Sequence, residues 1–164
     1  MSTPSSPPAP DALTLVVMAI DEMHQTTALL PVAEASRSLN RSWWRNVGML
    51  FARSVSGAEV GADNSLQYLA ANVDRAQLHW REALSSFSEL QRLHSDNEVV
   101  ASLVEQLPNA GLNEVLAQLD VEAIPRGSAK AAVHLAAVVD VIHRCEHLAA
   151  DARSKLNLQR MRAD

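Results

Sequence analysis

Apolar residues return every three or four positions along most of this chain, the spacing that lines one face of an α-helix. Leu13, Val16, Ile20, Met23, Thr27 and Leu30 form the first such stripe; it begins just after Asp11, and Pro31 kinks or restarts the helix. A second stretch runs from Val32 to about Ser56 and places Leu39, Trp43, Val47, Leu50, Phe51 and Val55 on a shared side, with Gly48 in its middle. Gly57 to Gly61 ends it. The third pattern is the most regular: Leu66, Leu69, Val73, Ala76, Trp80, Ala83, Phe87, Leu90 and His94 repeat by sevens and predict a helix over 62–94, about 50 Å long. Ser95 and Glu98 have capping-box spacing, so a further helix is expected from there to Leu107, stopped by Pro108 to Gly111. A short helix over 112–120 and a turn at Pro125 to Gly127 lead to the last stripe. In it Ala131, Leu135, Val138, Ile142, Cys145, Ala149, Ala152 and Leu156 again repeat by sevens.

These patterns predict an all-α fold, an up-and-down bundle or array of long amphipathic helices with two short helices between the long ones. Residues 1–10 contain four prolines and no apolar period, which predicts a disordered or extended tail before a single helical domain over 11–160.

Composition narrows the function classes. A chain of 164 residues with 48% hydrophobic but only 4% aromatic side chains fits one domain whose core is built from small and aliphatic groups. The net charge of -5 and pI near 5.6 argue against nucleic acid as a partner, because a phosphate-binding surface needs a basic stripe. At the C-terminal end Arg153, Lys155, Arg160 and Arg162 suit the negative end of a helix. The single cysteine, Cys145, excludes an intramolecular disulfide and a cysteine-rich zinc site, and points to a reducing, cytoplasmic setting. The apolar run Ala12 to Ile20 stops at Asp21 and Glu22, so it reads neither as a signal peptide nor as a segment for stable membrane insertion.

Candidate chemistry is sparse. Asp21-Glu22-Met23-His24 and Asp140-Val141-Ile142-His143 each contain Asp-x-x-His, superficially like the ligands of di-iron bundles. Such a site needs inward carboxylates on two further helices, whereas Asp74 and Glu82 lie off the apolar stripe, and Asp140, His143 and His147 fall opposite Leu135, Val138 and Ile142. The solvated polar face is therefore preferred, with no metal, cofactor or catalytic residue expected. His143 and His147 lie one turn apart, a spacing that permits shared metal coordination, while Cys145 between them points to the stripe as a small buried thiol. No glycine-rich phosphate loop or Ser/His/Asp constellation is present.

Association is the better prospect. Trp43 and Trp44 are consecutive, so on a helix they diverge by roughly 100° and cannot share one narrow stripe. With Gly48, Phe51 and Val55 they make the expected contact patch, since Trp is enriched at interface hot spots. Six histidines give a charge change between neutral and mildly acid pH, where an imidazole in water titrates near about 6.5. His94, which continues the apolar stripe of the longest helix, and His143 and His147 are the expected pH-sensing groups.

The stretch from Pro31 to Trp80 resembles the R-body (refractile body) proteins, the RebB-like or killing-trait family of bacteria. Ser38-Leu39, Val47-Gly48-Met49-Leu50-Phe51, Val55-Ser56-Gly57, Asn64 and Leu78-His79-Trp80 carry the resemblance. The family's glutamine run after the Val-Ser-Ala position is replaced here by Ala58-Glu59-Val60-Gly61, and residues 96–164 form a helical extension with no counterpart in it. The resemblance implies a non-enzymatic subunit that assembles with itself or with paralogous helical subunits into ribbons, some of which unroll on acidification, or an accessory to them. A stand-alone helical adaptor and a metal-binding helical-bundle enzyme are the alternatives.

Overall fold

Asp11 starts the first helix by turning its carboxylate onto the backbone N–H of Thr14 at 2.7 Å, which satisfies one of the donors a helix start leaves open. That hydrogen bond, helped by nearby Arg160 and His94, holds the Asp11 carboxyl below its ordinary range. The structure, a computed structural model, describes residues 7–30, 60–124 and 128–163. Its elements are α1 (Ala12–Leu29), α2 (Val60–His94), α3 (Glu98–Ala110), the four-residue α4 (Val115–Gln118), a 3₁₀ turn (Val121–Ala123) and α5 (Ser128–Ala163). The fold is all-α, and among the described residues there is no strand. The helix expected over 32–56 lies outside the described residues.

The long helices alternate in direction. At one end of α1 the Pro10 carbonyl meets His94 of α2, and further along Glu22 meets His79, so α1 and α2 are antiparallel. α5 also opposes α1, with His24 reaching Glu146. α3 runs against the second half of α5: Asn97 donates to Gln159 at one end, and Gly111 sits beside Val141 at the other. α1 and α3 thus each pack against both α2 and α5, closing an up-and-down bundle. α4 braces the far end, where Gln77 donates to the Leu116 carbonyl and His134 to that of Gln118.

The sevens become the core. Val73, Ala76, Trp80, Ala83, Phe87 and Leu90 of α2 are buried, as are Leu135, Val138, Ile142, Cys145, Ala149, Ala152 and Leu156 of α5. Small residues among large ones let the axes approach while Trp80, Leu90 and Ile142 fill the gaps. The stripe of α1 is wider than its sequence spacing implies. Leu15 and Ala19 are buried beside Val16, Ile20 and Met23, whereas Leu13 is only partly covered. A helix clamped between two neighbours needs two apolar faces. Thr26 and Thr27 are accommodated by donating their hydroxyls to carbonyls one turn back.

Two boundaries depart from expectation. Asn97, not Ser95, caps α3: its side-chain oxygen accepts from Val99 N–H at 2.9 Å, while its amide reaches Gln159 on α5. With its acceptor and donor on separate atoms of a longer side chain, Asn97 caps α3 and reaches α5 together. Nor does Pro108 end the helix, which continues to Ala110. Near a C-terminus the missing N–H costs one ladder bond, and the stop is set by Gly111 in the left-handed conformation (φ 102°), with Gly111 and Leu112 donating to the Pro108 and Leu107 carbonyls. An added Cβ at Gly111 would meet Val141 Cγ1 at 3.0 Å as well as the backbone penalty. Gly111→Ala is therefore expected to cost about 1–3 kcal/mol, read as a lowered midpoint in denaturant melts.

Candidate functional site

The expected contact patch of Trp43, Trp44, Gly48, Phe51 and Val55 lies outside the described residues. Of the expected pH-sensing histidines, His94 is at the end of the α2 stripe and only half-buried. A carbonyl only accepts, so its Nε2–H donates to Pro10 O at 2.9 Å. The fully buried part of the α2 stripe closes at Leu90, one turn before His94.

His143 and His147 come together instead. Both line a groove of about 660 Å³ on the outer side of α5, with Asp140, Arg144 and Leu148 of the same helix and Ala110 from the end of α3. Positions 140, 143, 144 and 147 share a face because they are three or four apart. Behind them stands Glu146, whose side chain is only 15% exposed. Its Oε2 lies 3.2 Å from His143 Nδ1 and 3.9 Å from Nε2 of His24 on α1, and its Oε1 is buried without a hydrogen-bond partner among the described residues.

The histidines of the two Asp-x-x-His segments therefore meet, but at a third residue that sequence reasoning missed. Glu146 follows Cys145 on the stripe's border, and its i+3 spacing from His143 was the available signal. Asp21 and Asp140 remain exposed. Among the described residues no group of three or more His, Cys, Asp or Glu is arranged to hold a metal ion by itself. Cys145 is fully buried, and burial pushes its thiol up to about 11, which suits packing and disfavours the nucleophilic thiolate.

Surface character differs between the ends of the chain's second half. From Asp96 to Glu122 there are six carboxylates and no Lys or Arg. The end of α5 is basic, and beyond Leu156 every described residue is exposed, including Leu158 at 53% and Met161 at 73%. Among the described residues no helix is long and apolar enough to cross a membrane.

Fold and surface place the chain in the class of all-α, up-and-down helical bundles. Comparisons with protein-family models, curated proteins and solved structures return no match.

Proposed function

We propose that this protein is a non-enzymatic helical association subunit whose partners are copies of itself or paralogous helical chains. The observation that carries this reading is the end of α5, where Leu158 and Met161 are exposed on a helix that runs on past its last buried residue. Such i, i+3 apolar anchors are what a helix presents to a groove on another chain. Their neighbours Arg153, Arg160 and Arg162 complement the acidic stretch from Asp96 to Glu122, so one end of a copy is chemically matched to a different surface of the next. Contacts of that kind are heterologous, and they propagate into filaments when the rotation does not close.

The resemblance of residues 31–80 to R-body proteins points the same way and adds a pH response. Protonating histidines offsets the net charge of -5 and weakens repulsion between copies. Light scattering and negative-stain microscopy of the purified full chain at neutral and mildly acid pH test this reading: extended assemblies, more abundant in acid, are expected. Single chains at every concentration and pH would overturn it.

A further inference from the structure

We infer that His143 and His147 form an open binding site for a divalent transition-metal ion of the zinc class on the groove face of α5. The two imidazoles are four residues apart on one helix, the spacing by which H-x-x-x-H pairs on zinc-binding helices bring two ring nitrogens to one ion. They line a common shallow groove.

The tautomer is already set for ligation. Because the Glu146 carboxylate accepts, His143 donates through Nδ1–H at 3.2 Å, which leaves the lone pair on Nε2. A carboxylate behind a ligating imidazole is the recurrent outer arrangement of metal-bound histidines; it holds the ring and raises its basicity. Glu146 is well suited to that task, being largely buried, with His24 of α1 3.9 Å from the same carboxylate oxygen. The charges facing the groove are Asp140 and Arg144, with Glu146 behind, a set that leaves one net negative charge to favour a cation. Two side chains do not complete a tetrahedral shell, so water or groups from an incoming molecule take the two remaining positions, one more than catalytic zinc sites leave open. His79 is engaged with Glu22, His24 lies beside the Glu146 carboxylate behind the groove, and His94 and His134 bond backbone carbonyls.

Calorimetric titration of the full chain with zinc chloride, repeated with cobalt(II) followed by its visible absorption, tests the site. One ion per chain is expected, with binding weakened at least about tenfold in His143→Ala and in His147→Ala. Glu146→Gln should weaken it by about tenfold or more while keeping the stoichiometry. His94→Gln should leave binding as in the parent, and circular dichroism should show equal helix content throughout. Acidification should release the ion, since an imidazolium cannot ligate. Absence of saturable binding in the parent, or equal affinity in the parent and both His variants, would overturn the assignment.

Discussion

Trp80→Ala is expected to remove about 3–5 kcal/mol of stability, the largest loss open to a single truncation in this core. Trp80 is fully buried at the middle of the α2 stripe, and no smaller neighbour can collapse into the space an indole leaves. For a domain of this size that loss corresponds to a fall of about 10 °C or more in melting temperature. The indole N–H is buried without a partner among the described residues, so part of its packing gain is offset by an unmade hydrogen bond. Trp80→Phe keeps an aromatic ring and removes that N–H, and should cost less than Trp80→Ala. Thermal melts of both variants decide the matter. Equal melting temperatures for parent and Trp80→Ala would mean that the α2 stripe does not form the core.

Cys145 should be almost inert in the folded chain. With its thiol raised from 9.0 to about 11, the thiolate fraction at neutral pH is about a hundredfold lower than in the unfolded chain, and full burial blocks access besides. Labelling by an aromatic disulfide should therefore be at least about a hundredfold slower without denaturant than with it, its rate following local opening. Linkage sets the sign at high pH. The unfolded thiol ionises first, so the contribution of the neutral buried thiol is intact below pH 9 and falls away as pH rises towards 11, by up to about 2–3 kcal/mol. Cys145→Ala should lack this part of the alkaline loss. Rapid labelling of the native protein would place the thiol outside the core.

What could be read from sequence followed from regularity. Repeats of seven in α2 and α5 have one solution, a continuous buried face, and Val73 to Leu90 and Leu135 to Leu156 take it. The same logic misjudged α1, where Leu15 and Ala19 are buried because two partner helices ask for two faces, a tertiary fact absent from a one-dimensional pattern. Caps failed for a related reason: Ser95 and Glu98 match a local motif, but Asn97 also bonds Gln159, 62 residues away. The groove was half legible. His143 and His147 stood out by spacing, whereas Glu146, three residues from His143, is marked by its burial in the folded chain. His94 looked like the last member of a stripe, yet a helix end meets solvent and the tail at Pro10 rather than another core layer.

Sedimentation velocity of the full chain over a wide concentration range, beside the double variant Leu158→Glu with Met161→Glu, tests the association account most directly. The parent should sediment as concentration-dependent assemblies, and the variant as single chains with an unchanged melting temperature, since both side chains are exposed and their replacement leaves the core intact. The same sedimentation for parent and variant, whether both assembled or both single, would contradict the claim that the end of α5 carries the association of this protein.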